Sequence, residues 1–206
     1  MIYPLIVNFI QVRFSMEYES QSGFKVVLVG DSGVGKTSIA VKICNDEFDE
    51  YVNETIGSAQ FTLELFVDDK KVLMNLWDTV GQEKYSSLVP IYSKGATVGI
   101  IVGSIESEES IAHMSNWSTL LDQTDDSMKR FFVINKTDKT SKLIQQITDI
   151  KAKYGSLYPK ICFVSAKSGQ GLRNLFQDVA QACVMSRKAD IETLIPNKKT
   201  QEKCNC

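Results

Sequence analysis

The segment "GDSGVGKTS", Gly30 to Ser38, sets two inner glycines, a lysine and a threonine between the apolar runs "FKVVLV" and "IAVKIC". Its first eight residues fit G-x-x-x-x-G-K-[ST], the pattern of a phosphate-binding loop between a strand and a helix. Gly33 and Gly35 let the backbone turn and approach a ligand closely, so the N–H groups of Asp31, Ser32, Gly33, Val34, Gly35 and the residues through Ser38 can surround phosphate oxygens. The positive end of the following helix adds attraction. Lys36 reaches the terminal phosphates as a point charge, and the Thr37 hydroxyl is a hard oxygen ligand for Mg²⁺. The competing reading, a glycine-rich turn that caps a helix, leaves Lys36 without a packing purpose.

Phosphate chemistry alone leaves ATPases, kinases and GTPases open. Two later segments address the base. In "NKTD", Asn135 to Asp138, a carboxylate can accept both the ring N–H and the exocyclic amine of guanine, a donor pair that adenine does not present together. In "SAK", Ser165, Ala166 and Lys167, backbone N–H groups can meet the guanine oxygen. Each is weak alone; together, in order, after the phosphate loop, they are specific.

These loops need elements to hold them. Six β-rich runs, 24–29, 61–67, 71–77, 97–103, 130–135 and 160–165, read as strands, and 36–45, 107–123, 141–154 and 171–185 read as helices. The second and third runs are separated by "DDK" and should form a hairpin, whereas the others are joined through helical segments. The expected fold is therefore α/β: a P-loop NTPase with a six-stranded, mostly parallel sheet, one antiparallel hairpin strand and helices on both faces. Ligands of such sheets bind at the carboxyl ends of the strands, where all three loops fall.

A chain of 206 residues with 43% hydrophobic and 23% charged residues supports one well-buried domain. With 23 basic and 25 acidic residues, a net charge of −2 gives no general reason to bind nucleic acid. Five cysteines, odd in number and without CxxC spacing, suggest a reducing compartment rather than a disulfide framework or zinc site. The apolar start "MIYPLIVNFIQVRF" is too short to span a bilayer and has no basic start or small-residue cleavage site. Residues 1–23 form an extension, and two readings of 1–15 stay open: an appended strand or loop, or sequence upstream of a native start at Met16.

With these motifs, residues 24–185 resemble a small GTPase of the Ras superfamily, Rab branch. The resemblance implies further roles. Thr55 in "ETIG" matches the switch I threonine that senses the γ-phosphate through Mg²⁺, and Phe48 matches the aromatic that packs on guanine. "WDTVGQE", Trp77 to Glu83, matches switch II: Asp78 would hold Mg²⁺ through water, Gly81 would offer its N–H to the γ-phosphate, and Gln82 would orient the attacking water. Lys136 would cover the base and the phosphate-loop side. Catalysis would rest on Gln82, Lys36 and Gly81. No arginine stands in the phosphate loop or beside Gln82, so the resemblance implies slow intrinsic hydrolysis and an activating protein that supplies one. Exchange factor, GDI-type escort and effectors complete the implied partners of a monomeric switch in vesicle traffic.

The chain departs from the family pattern at several places. Val80 stands where alanine is usual, and a β-branched side chain stiffens the backbone there; a guanine-nucleotide-binding scaffold with negligible hydrolysis is the alternative reading. Gln60 stands at a Rab effector-facing phenylalanine position, with Phe61 one place later on the opposite face of a strand. "VGSIES" carries Gly103 and Ser104 in place of a tyrosine–aspartate pair. "KYSSLVPIYSKGA" and "IGSA" resemble early-endocytic Rabs; the resemblance implies the cytoplasmic face of endomembranes, endosomes among them, and cycling with the cytosol. From 186 to 206 the chain reads as a flexible tail ending in "CNC"; in a Rab-like chain this implies geranylgeranylation of Cys204 and Cys206, two lipids meeting the need for two membrane signals. His113 is expected on a helix surface without a role.

Overall fold

The computed structural model describes residues 23–50, 58–79, 88–158 and 160–194, with 188–194 described by their backbone. β1 (Phe24–Val29), β2 (Ser58–Val67), β3 (Lys70–Thr79), β4 (Val98–Ser104), β5 (Lys129–Asn135) and β6 (Ile161–Phe163) form one sheet. Its order is β2-β3-β1-β4-β5-β6. β2 runs antiparallel to β3, and every other neighbouring pair is parallel. The expected mixed sheet is thus the observed one.

Parallel strands covered on both faces must be apolar on both faces. In β1, Val26 and Leu28 enter one core while Val27 and Val29 enter the other. The first core is closed by α1 (Lys36–Asn45) and α5 (Leu172–Leu194), which contribute Ile39, Leu172, Leu175, Phe176, Val179 and Cys183. The second lies under α2 (Val89–Ser93), α3 (Glu108–Asp122) and α4 (Leu143–Tyr154), with Ile111, Met114, Trp117 and Leu121 of α3 at its centre. Tyr158 stacks on Phe132 at 4.6 Å between centroids and donates its hydroxyl hydrogen bond to the Ile111 carbonyl at 2.9 Å, which pins α3 from below.

The hairpin is tighter than "DDK" suggests. Val67 pairs with Lys70, and Asp68 and Asp69 between them have φ of 48° and 59°. Two left-handed residues make the turn that suits the twist of the flanking strands, and aspartate tolerates that conformation. Along β2 the side chains alternate: Phe61, Leu63, Leu65 and Val67 face the first core, whereas Gln60, Thr62, Glu64 and Phe66 are exposed. Gln60 therefore occupies the outer face opposite Trp77, and Phe61 the inner one.

Three differences from the sequence reading stand out. α2 begins with Pro90 in its first turn and spans five residues, too few for a periodic signal. β6 is shorter than 160–165 because the chain turns away after Phe163 toward the loop at Ser165. Residues 186–194, expected to belong to a tail, continue α5; the apolar periodicity ends near Met185 while the helical backbone runs on. Residues 1–22 of the N-terminal extension and the terminal "CNC" lie outside the described residues.

Candidate functional site

The phosphate loop leaves the carboxyl end of β1 and enters α1. Gly30, Gly33 and Gly35 have φ of 143°, 74° and 92°, conformations that strain any L side chain. At Gly35 space is also decisive, since a Cβ would lie 2.4 Å from Nδ2 of Asn135. Lys36 is 6% exposed, and its ammonium donates to the carbonyls of Gly30 at 2.9 Å and Asp31 at 2.8 Å. Burial pushes the Lys36 ammonium down to about 8, against the pull of Asp78 and Asp31. An anion seated in the loop would favour the charged form, so phosphate binding and protonation of Lys36 reinforce each other.

Beside it, the Thr37 hydroxyl donates to Oδ2 of Asp78 at 2.6 Å. Asp78 is fully buried at the end of β3, where Thr79 Oγ1 fastens the strand to the Leu28 carbonyl at 2.7 Å. A hydroxyl and a carboxylate, both hard oxygen donors, next to a loop shaped for phosphate form the donor set that Mg²⁺ takes when phosphate oxygens and waters complete its shell. The residues present fit that ion.

The loops after β5 and β6 are joined to the phosphate loop through one side chain. Asn135, 1% exposed, donates from Nδ2 to the Val34 carbonyl at 3.0 Å, and its Oδ1 accepts from the Ala166 N–H at 3.0 Å. Asp138 is exposed on the helical turn Thr137–Lys139, and its Oδ1 accepts from the Ser165 hydroxyl at 2.5 Å. Ser165 Oγ also accepts from the Ser168 N–H at 3.1 Å, which shapes the bend after Ser165. Lys136 has φ of 63°, and its ammonium meets Glu106 Oε2 at 3.1 Å. Lys167 and Lys139 both approach Glu50 at 3.5 Å, and the neighbouring Phe48 is 36% exposed. Among the described residues, then, Asp31 to Ser38, Asp78, Asn135 to Asp138 and Ser165 to Lys167 gather at one end of the sheet. Thr55, Val80, Gly81 and Gln82 lie outside the described residues.

This arrangement matches known proteins. A model of the Ras family matches residues 25–185. The chain belongs to the Ras family. It is similar to the Ras-related protein RABF2a of Arabidopsis thaliana, with 34% identity over 178 residues, covering 84% of this chain and 88% of the relative. Together these place it in the Rab branch of the small GTPases, and its fold is that of a Ras-family P-loop GTPase. As a Rab-type GTPase it binds guanine nucleotide, hydrolyses GTP and regulates trafficking on endomembranes.

Sequence reasoning missed two participants. His113 is not idle on the surface of α3: its Nδ1 lies 2.8 Å from Oδ2 of Asp31. Trp117, four residues on, donates from Nε1 to the other Asp31 oxygen at 2.7 Å. Their i, i+4 spacing, which sets both on one helix face, was the available signal. No helix among the described residues is long and apolar enough to cross a membrane.

Proposed function

We propose that the site works as a Mg²⁺-dependent guanine-nucleotide switch in which the residues have separate tasks. Asp138 selects guanine through the base's paired donors, helped by Asn135, Lys136, the Ser165–Lys167 backbone and the Phe48 ring. The amides from Asp31 to Ser38 and the Lys36 ammonium hold the phosphates. Thr37, Thr55 and, through water, Asp78 would hold Mg²⁺, which when bound would supply neutralisation of phosphate charge. Gly81 senses the γ-phosphate and Gln82 orients the attacking water. Hydrolysis releases Thr55 and Gly81, and the GTP and GDP forms present different surfaces to effectors, exchange factor, activating protein and GDI-type escort. The domain spans 24–185, and geranylgeranyl groups on Cys204 and Cys206 hold the active form on the cytoplasmic face of endomembranes, with endosomes as the first compartment to test.

The observation that supports this reading most is Asn135, which bonds the phosphate loop with one end of its amide and the Ala166 loop with the other. A single nucleotide spanning phosphate and base sites requires that the two be held in fixed relation. The test is single-turnover hydrolysis of GTP labelled at the γ-phosphate. The unaltered chain should release phosphate slowly and the Gln82→Leu variant at least tenfold more slowly; equal rates would defeat the assignment of Gln82. No observation favours the scaffold reading, in which hydrolysis is negligible in both. Val80→Ala in the same assay tests whether the β-branched residue slows the reset.

A further inference from the structure

The face of α3 that turns toward β4 meets glycine at two places. A Cβ on Gly99 would lie 2.6 Å from Leu121 Cδ1, and one on Gly103 would lie 3.0 Å from Met114 Sδ and 3.4 Å from Ile111 Cα. Leu121 and Met114 of α3 therefore pack directly over the glycine backbone of β4, in space that side chains at 99 and 103 would contest. Its first turn is fastened there as well. The Ser110 hydroxyl accepts from the Ser104 N–H at 2.9 Å and donates to the Ser107 carbonyl at 2.7 Å, while Ser107 Oγ caps the helix at the Ser110 N–H.

So seated, α3 delivers two donors to one carboxylate. Trp117 Nε1 reaches Asp31 Oδ1 at 2.7 Å, and His113 Nδ1 meets Oδ2 at 2.8 Å. Asp31 is also the residue whose carbonyl accepts from the Lys36 ammonium. The same amino acid thus joins α3, through its side chain, to the phosphate-binding lysine, through its backbone. Asn135 holds the loop at the Val34 carbonyl, and the α3 contacts hold it at Asp31, on the other side of Gly33, around which the space is open.

We propose that His113 and Trp117 are positioning residues for the phosphate loop: by clamping the Asp31 carboxylate, α3 holds the loop amides and Lys36 in the nucleotide-binding geometry and so sets the rate of nucleotide release. Gly99 and Gly103 leave room for the Leu121 and Met114 side chains that seat α3 on β4. The inference rests on the guanine-nucleotide reading of the loop. A loop ordered in advance loses less freedom when nucleotide binds, and the benefit disappears when the clamp is cut. A hydrogen bond to a charged group, part of whose strength goes into loop position, gives about a tenfold effect on release.

The test uses the full chain loaded with mant-GDP, excited directly at the mant group, and chased with excess GDP at fixed Mg²⁺. His113→Leu, half-exposed and tolerant of replacement, should release nucleotide about tenfold faster, and Trp117→Phe, which keeps the ring but loses the donor, should do the same. His113→Asn, which retains an N–H where Nδ1 stood, should restore slow release; a merely structural role would not distinguish Asn from Leu in this way. Unchanged release in His113→Leu, or equal acceleration by Leu and Asn, would overturn the proposal. Failure of the unaltered chain to bind mant-GDP would instead defeat the nucleotide reading, and the clamp with it.

Discussion

Asn135→Ala is the most searching perturbation of the frame, because it removes one buried amide and nothing else. In the native chain that amide satisfies the Val34 carbonyl and the Ala166 N–H, both 3.0 Å away, and the residues carrying them are each 2% exposed. Deleting it orphans one buried acceptor and one buried donor. Each orphan costs about 1–3 kcal/mol, so the pair costs about 2–6 kcal/mol; water entering the space left by the side chain brings the expected loss to about 3 kcal/mol. The assay is urea unfolding of the nucleotide-free full chain in EDTA. Lys136→Ala is the control, since its half-exposed ion pair with Glu106 is worth under about 1 kcal/mol. The same variant should also lose nucleotide affinity, and a tenfold loss appears as about 1.4 kcal/mol less stabilisation by saturating GDP. A loss in the apo chain below about 1 kcal/mol, or equal to that of Lys136→Ala, would refute the claim that Asn135 holds the two loops together.

The face assignment in β2 predicts opposite outcomes for neighbours: Phe61→Ala, which removes a ring packed on the first core, should cost about 1–3 kcal/mol in urea unfolding, whereas exposed Gln60→Ala should stay within about 0.5 kcal/mol. Cys183, fully buried on α5, has its thiol pushed up to about 12 by burial from a usual 9.0. The folded chain therefore keeps that proton where the unfolded chain loses it. The stability contribution is complete below pH 9.0 and is lost as pH rises toward 12, with a slope of at most about 1.4 kcal/mol per pH unit. Cys183→Ala should flatten the alkaline limb of the pH–stability curve, and an unchanged limb would contradict the stated burial.

Much of the site could be read directly from the chain because its signals are local. Glycines at 30 and 35 punctuate β1 and α1, so both elements fall where the apolar runs place them. The loops at Asn135 and Ser165 end apolar runs and announce themselves by composition. Other features are set by partners rather than by neighbours in sequence. β2 extends back to Ser58 and β3 on to Thr79 because they pair with each other, and Gln60 and Asp78 enter the ladder without any apolar pattern to mark them. The clamp on Asp31 joins residues 82 and 86 positions apart; the periodicity of α3 states which residues share a face, but only the seat on Gly99 and Gly103 decides what that face meets.

The connections at the site divide by charge, and the division bears on how a switch can change without coming apart. Asn135 links the phosphate and base loops through neutral amide hydrogen bonds, whose strength does not depend on a distant phosphate charge. Lys36 and Asp78, by contrast, are buried ionic groups with the half-buried Asp31 beside them, a setting in which Coulomb interactions are strong and a bound phosphate charge would be felt. On the proposed reading, loss of a γ-phosphate would alter the balance around Lys36 and the Thr37–Asp78 pair, whereas the neutral Asn135 bonds would not respond to that charge. Guanine and the remaining phosphates would then keep their seat on that frame, and the proposed switch would separate reset of the signal from release of nucleotide. The proposed α3 clamp would act on the second of them, because it grips Asp31 through His113 and Trp117, side chains of the protein itself and not groups of the nucleotide.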